Sequence, residues 1–144
     1  MKSTGLSDEN YEALSRYRQE RAHEALAEIS YLREQGFYST AINRLYYACY
    51  YAAVALLTKH HIAANTHAGV KLMLGLHFVS KGHISKESGR AFSNLFDSRQ
   101  RGDYDEFVFS TKEEIDELYP KAQRFIEEVD ALLGVSTQES SSIE

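Results

Sequence analysis

Arg99 is the residue whose type and position most clearly suggest chemistry in this sequence. It follows Phe96 by three positions and Leu95 by four, so on a continuous helix its guanidinium shares their inward face. A buried guanidinium is unfavourable unless a partner offsets its desolvation. We expect Gly102 to end this helix and let Tyr104 turn back towards Arg99. An arginine beside a phenol in a cleft could then bind a phosphate and donate a hydrogen bond to it.

The same two residues also have a purely structural interpretation, which the sequence leaves open. Arg99 could form an ion pair with Asp103 or Asp97, and Tyr104 could pack its ring over the end of a helical bundle. Ion pairs at helix ends are common outside active sites. The sequence alone does not separate a phosphate site from a structural ion pair.

Arg44 interrupts an otherwise apolar stretch and has two interpretations of its own. It could add a second positive charge to the cleft, or it could bond a carboxylate such as Glu34, which we favour. The nearby tyrosine pairs, 46–47 and 50–51, could stack on bases. Their helical spacing within a hydrophobic run instead favours packing in the core or at a dimer contact.

The six histidines provide one further candidate, His67. It could approach Arg99 if its helix packs beside the helix of Arg99, although capping or packing at a helix start is the more common role for a residue there. No two histidines are three or four residues apart, so no helical metal site is predicted. Glycine-rich phosphate loops are absent, and we expect no cofactor.

Five predicted helices must position these residues. The central helix, from about Phe37 to His61, is apolar on nearly every side and should lie in the middle of a bundle. The others are expected at about 7–36, 66–82, 85–102 and 110–134, the last opening with a capping box from Ser110 to Glu113. The predicted fold is all-α, an antiparallel up-and-down bundle of four to five helices in a single domain over residues 1–134, with residues 135–144 as a disordered tail.

Composition narrows the class of protein. The 144 residues carry a net charge of −5, which argues against a surface broadly coated for nucleic acid, although the segment 81–101 is locally basic. Cys49 is the only cysteine, so no intramolecular disulfide can form. The sequence shows no signal peptide and no membrane span, and we expect a cytoplasmic protein without a membrane partner.

Three segments in this order and spacing resemble the HEPN family, over about residues 20–133. They are AINRLYYACYYAAVALL at 41–57, THAGV at 66–70 and RAFSNLFDSRQRGDYDEF at 90–107. The resemblance implies a helical bundle that forms a homodimer and is often encoded beside an MNT-type nucleotidyltransferase as a toxin–antitoxin pair. Family members that are toxins look like metal-independent ribonucleases. They carry an arginine, then four to six residues, then a histidine, and the two copies of the dimer form one cleft.

The sequence departs from that motif at the position of the histidine, the acid/base residue. Arg99 matches the arginine, but Tyr104 stands where the resemblance implies a histidine, and Glu106 stands where some toxins carry a tyrosine that receives a nucleotidyl group. A phenol with a pKa of about 10 is rarely ionised at neutral pH. Losing an acid/base residue typically lowers the rate about 100- to 10,000-fold.

Two hypotheses follow from the intact scaffold and the altered motif. The first is a dimeric binding module that pairs with the nucleotidyltransferase and binds nucleotide or RNA, with Arg44, His67, Arg101 and Asp103 as candidate contacts. The second is a ribonuclease toxin in which Arg99 stabilises phosphate charge while Tyr104, or a histidine from elsewhere, transfers protons.

Overall fold

The structure is a computed structural model that describes residues 7–104 and 110–134, with side chains described for all of these except residues 100–104. Its helices are α1 (Asp8–Ala27), α2 (Ile29–Glu34), α3 (Tyr38–Lys59), α4 (His67–Leu74) with a π-helical turn (Gly75–Val79), α5 (Lys86–Tyr104) and α6 (Lys112–Leu133). The described residues include no strand. The prediction of an all-α bundle is therefore confirmed.

Helix α3 lies at the centre, as its apolar composition predicted. Leu45, Tyr46, Cys49 and Leu56 have no exposed surface, and α1, α5 and α6 all pack against it. Its alanines let neighbouring backbones approach closely, so that the hydroxyl of Ser15 on α1 donates to a carbonyl of α3. A helix without a polar face must be covered by other helices on several sides, because its apolar side chains would otherwise be exposed to water.

Contacts between named side chains establish the directions of the helices. The α1–α3 pair is antiparallel, because Arg18 near the middle of α1 bonds Thr58 at the end of α3, whereas Glu28 just after α1 bonds Arg44 near the start of α3. Helices α5 and α6 are antiparallel as well, since Ser85 and Ser88 at the start of α5 bond Glu128 late in α6. The C-terminal half of α5 lies beside the N-terminal half of α3, where Arg99 bonds Tyr47 and the ring of Phe96 lies near that of Tyr46.

Several helix boundaries agree with the sequence signals. The side chain of Ser7 accepts a hydrogen bond from the backbone of Asn10 and caps α1, and Thr66 caps α4 in the same way. Gly36 adopts the left-handed conformation expected at the end of the first helical segment. These signals are local, so they can be recognised from a few neighbouring residues.

Three boundaries differ from the predictions. The first segment is two helices, because the chain breaks at Glu28 between α1 and α2. The capping box of α6 uses Thr111 and Glu114, one residue later than the predicted pair Ser110 and Glu113. The backbone N–H of Glu114 donates to the Thr111 hydroxyl, and the backbone N–H of Thr111 donates to the Glu114 carboxylate. Gly102 does not end its helix, since α5 continues to residue 104.

The described helices include none that is both long enough and apolar enough to cross a membrane. The predicted tail, residues 135–144, lies outside the described residues.

Candidate functional site

Arg99 sits against the tyrosines of α3. Its Nη2 donates a hydrogen bond of 3.2 Å to the hydroxyl of Tyr47. Its guanidinium carbon lies 5.5 Å from the ring centre of Tyr46 and 5.4 Å from that of Tyr47, within the range of a cation–π contact. Arg99 is half-buried, so part of its surface stays accessible to a ligand. Two of its neighbours are therefore phenols of another helix.

The predicted convergence of Arg99 with Tyr104 depended on a helix break that does not occur. Because α5 continues through Gly102 to Tyr104, the glycine turn expected to bring the phenol back towards Arg99 is wrong. The side chains of Arg101, Asp103 and Tyr104 lie outside the described residues, and Glu106 lies outside them entirely. Their roles stay predictions.

His67 joins the site from the first turn of α4. Its Nδ1 lies 2.7 Å from the hydroxyl of Tyr46, and its ring stacks on Tyr50 with the ring centres 4.2 Å apart and an angle of 11°. The cap of α4 at Thr66 holds His67 at the start of the helix. Since Arg99 and His67 both contact Tyr46, the structure brings together the two residues whose approach the sequence left open.

The electrostatics of this cluster keep both hydrogen-bonding rings neutral. Burial, and then the nearby positive charge of Arg99, lowers the pKa of His67 below its ordinary 6.5. Burial raises the pKa of the Tyr46 phenol well above 10, although Arg99 opposes that shift. At neutral pH the contact between them therefore joins a protonated phenol and an uncharged imidazole. A neutral imidazole can accept a proton, which a charged one cannot.

This combination of groups suits phosphate chemistry. A guanidinium neutralises phosphate oxygens, and a neutral imidazole can exchange a proton with a hydroxyl. Three side chains of the metal-binding types His, Cys, Asp and Glu do not cluster anywhere in the part of the chain that the structure describes. Cys49 is fully buried, and burial raises the pKa of its thiol, which makes it a poor nucleophile.

Arg44 lies near the start of α3 and pairs with a carboxylate between α1 and α2. Its Nε donates a hydrogen bond of 2.9 Å to Glu28, the residue at which α1 breaks from α2. Of the two interpretations of Arg44, the structure shows the carboxylate pair, with Glu28 in place of the predicted Glu34. The pair is partly solvent-accessible, with Glu28 half-exposed, so its effect on stability is small.

A second polar cluster, between α1 and α6, was not predicted. Nε2 of His23 lies 3.0 Å from both carboxylate oxygens of Asp130, and Nε2 of Gln19 donates to the same carboxylate at 2.5 Å. Gln19 and Asp130 are almost completely buried. The sequence carried a signal for it, because Gln19 and Asp130 occupy positions in the inward series of their helices, where a polar residue needs a partner.

Comparisons with known proteins agree with the observed fold. A sequence profile of the HEPN domain matches residues 15–132. A Thermotoga maritima protein named "UPF0332 protein" is 31% identical over 122 residues, which cover 85% of this chain and 92% of that protein. A Methanocaldococcus jannaschii protein named "Putative toxin" is 33% identical over 108 residues, or 75% and 80% of the two chains.

A second M. jannaschii protein of that name is 30% identical over 107 residues, which cover 74% of this chain and 73% of that protein. The profile match covers the segments of α3, α4 and α5 that carried the resemblance, and these helices also hold Tyr46, His67 and Arg99. The chain belongs to the HEPN family.

Proposed function

We propose that this chain is a toxin-type HEPN protein that acts as a homodimeric binding module, pairs with an MNT-type nucleotidyltransferase, and binds the phosphate of RNA or a nucleotide through Arg99 and His67. The contact of both residues with Tyr46 is the observation that supports it most directly. The names of the two M. jannaschii relatives support the toxin class.

Arg99 is suited to hold an anion because its orientation is already defined. The hydrogen bond to Tyr47 and the two ring contacts hold the guanidinium in place, which reduces the entropy lost when a phosphate binds. The adjacent rings of Tyr47 and Tyr50 are only partly buried and offer faces on which a base can stack. Phosphate and base recognition would thus lie side by side.

The binding part of the proposal is tested with a fluorescent oligouridine that carries 2′-fluoro groups and so cannot be cleaved through its 2′-hydroxyl. Arg99→Ala should weaken binding about 10- to 100-fold, because a hydrogen bond to a charged group contributes about 1.5–3 kcal/mol. Arg124→Ala on α6, which removes an equally charged but exposed side chain, is the control. Equal affinity of Arg99→Ala and the unmodified protein, measured by fluorescence anisotropy, would contradict the proposal.

The assembly part requires separate experiments. Analytical ultracentrifugation of the purified chain should show a dimer. Co-expression with a nucleotidyltransferase encoded in an adjacent reading frame, followed by affinity purification of one partner, should recover both. A monomer at micromolar concentration would contradict the proposed homodimer. A nucleotidyltransferase that does not co-purify with this chain would contradict the proposed pairing, and neither result would affect the phosphate site.

A ribonuclease is the second candidate, and the position of His67 favours it. In a metal-independent cleavage the 2′-oxygen attacks the adjacent phosphorus, the bond to the 5′-oxygen breaks, and a 2′,3′-cyclic phosphate forms. The neutral His67 could take the proton from the 2′-hydroxyl, and the protonated phenol of Tyr104, the acid of the sequence hypothesis, would give one to the leaving 5′-oxygen. Arg99 would stabilise the added negative charge on the phosphate oxygens. His67 thereby supplies an imidazole that the α5 motif lacks.

The ribonuclease candidate has a test in cells and in solution. Expression should arrest growth, and the purified protein should cleave single-stranded RNA in the presence of EDTA. Arg99→Ala should abolish both effects. Undiminished cleavage by that variant would exclude this mechanism.

A further inference from the structure

The contacts of Arg99 continue along the surface of α3 and onto α1. The ring of Tyr47 lies 6.0 Å from that of Tyr51, one helical turn later. The guanidinium carbon of Arg21 lies 5.1 Å from the ring centre of Tyr51, and its Nη1 donates to the hydroxyl of Tyr17 at 3.3 Å. These five residues, Arg99, Tyr47, Tyr51, Arg21 and Tyr17, form a continuous series, which we call the arginine–tyrosine strip.

The rings of the strip become more accessible with distance from Arg99. Tyr47 and Tyr51 are partly buried, whereas Tyr17 is 53% exposed. An exposed tyrosine ring next to two half-exposed ones provides apolar surface that water solvates poorly and that a flat ring can cover. The strip thus leads outward from the candidate phosphate site onto the surface of α1.

The charge along the strip is locally positive in a chain of net charge −5. Arg99 and Arg21 lie at separate points of the strip. Burial raises the pKa of the nearby Tyr50 phenol, and the positive charge of Arg18, one turn before Arg21 on α1, partly opposes that shift. Within residues 7–99 and 110–134, Arg21 pairs with the carboxylate of Glu24 at 3.6 Å, and that side chain is 69% exposed. Such an exposed pair is weak, so a phosphate can replace it.

We propose that the arginine–tyrosine strip binds a segment of single-stranded RNA, with phosphates at Arg99 and Arg21 and bases stacked on Tyr51 and Tyr17. Alternating cations and aromatic rings are what a single strand requires, because it exposes both a charged backbone and unstacked base faces. A double helix hides its base faces and cannot use the tyrosines. The inference rests on the proposed function and extends the phosphate site to a longer strand.

The experiment compares two lengths of the uncleavable 2′-fluoro oligouridine, two and ten nucleotides. A dinucleotide can occupy only the region of Arg99, whereas about ten nucleotides exceed the lower site sizes known for single-strand binding surfaces. The longer strand should bind at least about tenfold more tightly. Tyr17→Ala should weaken binding of the longer strand about fivefold or more, the effect expected from the loss of one stacked base.

Arg21→Gln should weaken binding of the longer strand and lower the slope of log affinity against log salt by about 0.7, the value for one phosphate contact on a single strand. Neither variant should change binding of the dinucleotide. Tyr31→Ala, at a 63% exposed tyrosine of α2, and Arg124→Gln on α6 are the matched controls and should bind both lengths normally. Circular dichroism should show unchanged helicity in all four variants, which carry substitutions at surface positions.

The outcomes separate the two proposals. If Arg99→Ala loses the dinucleotide but Arg21→Gln and Tyr17→Ala bind the longer strand normally, the strip is overturned and the phosphate site stands. If Arg99→Ala binds both lengths normally, the proposed function itself fails. A duplex RNA of equal length that binds as tightly and depends on the same residues would overturn the assignment to a single strand. If both strip variants bind RNA normally but dissociate the dimer, the strip is a contact between copies of this chain.

Discussion

Two histidines of this small bundle lie in opposite electrostatic surroundings. His67, at the start of α4, contacts the phenol of Tyr46 and lies near the positive charge of Arg99, and its pKa is lowered. His23, on α1, contacts the buried carboxylate of Asp130, and its pKa is raised by that hydrogen bond. The same side chain is thus held neutral in one region and stabilised as a cation in the other.

The difference in pKa between the two histidines separates a region that stabilises the fold from one that is suited to bind a ligand. A protonated His23 beside Asp130 forms an ion pair that joins α1 to α6, and Gln19 bonds the same carboxylate. The carboxylate of Asp130 bonds two side chains of α1, so this cluster joins α1 to α6 and stabilises the fold. The cluster of His67 and Arg99 instead holds a cation and an uncharged imidazole next to partly exposed rings, an arrangement that favours an external anion.

The largest expected difference concerns RNA cleavage. If the ribonuclease candidate holds, His67→Gln should lower the rate about 100- to 10,000-fold, the usual effect of removing an acid/base group, because glutamine can keep a hydrogen bond to Tyr46 but cannot exchange a proton. His23→Gln should cleave at the normal rate, since the residue lies in the stabilising cluster. Initial rates on a labelled single-stranded RNA measure both. Equal losses in the two variants would remove the functional distinction between the histidines.

The second comparison concerns stability. Asp130→Ala should lower the free energy of unfolding by about 3 kcal/mol, because it leaves the buried amide of Gln19 with only a long bond of 3.4 Å to the Ile126 carbonyl and also removes the carboxylate bound to His23. Urea unfolding followed by circular dichroism measures the change. Asp116→Ala, which removes an exposed carboxylate paired with Arg33, is the control and should lose less than about 1 kcal/mol. Similar losses in both variants would show that the buried cluster has no special role.

A smaller effect is expected at the phenol of the candidate site. Tyr46→Phe should lower the free energy of unfolding by about 1 kcal/mol, because it removes one hydrogen bond to His67 and keeps the buried ring. Tyr50→Phe keeps the ring that stacks on His67 and should change stability less. The same urea experiment distinguishes them, and a larger loss in Tyr50→Phe would indicate that the hydroxyl of Tyr50 contributes more to stability than the hydrogen bond between Tyr46 and His67.

The smallest effects are in the pH dependence of stability, and their signs should be opposite. The raised pKa of His23 means that its contribution is complete below about pH 6.5 and is lost as the pH rises through the folded-state pKa. The lowered pKa of His67 means that the unfolded chain binds the proton more strongly, so this residue destabilises the fold as the pH falls below about 6.5.

Urea midpoints between about pH 5 and pH 8 test these signs. Relative to the unmodified protein, His23→Gln should lose more stability at the acidic end, whereas His67→Gln should gain there. Proton NMR titration of the two imidazoles should place the midpoint of His23 above that of His67. The reverse order would contradict the structural comparison.

Much of the fold could be predicted because its determinants are local. Ser7 and Thr66 cap their helices through backbone groups three residues away, and Gly36 adopts the left-handed conformation. The central place of α3 followed from its apolar composition. The error at Gly102 arose because a glycine is compatible with both a helix end and a helix interior, and neighbouring residues did not decide between them.

The candidate site was only half predictable. Arg99 was identified from its inward position and from the family motif, but the helix break expected at Gly102 was wrong. The tyrosine pairs were assigned to packing, and Tyr46 does pack fully in the core while Tyr47 also bonds Arg99. A single sequence does not show which of four similar phenols meets a distant cation.

The sequence by itself determined the approximate positions of the helices, several of their caps and the membership of the HEPN family, because periodicity, capping residues and motif spacing are properties of neighbouring positions. Only the tertiary structure decided that His67 meets Tyr46 beside Arg99 and that His23 meets a carboxylate 107 residues away. Such contacts depend on how whole helices pack, since the free energy of packing is shared among many side chains and no short segment specifies it.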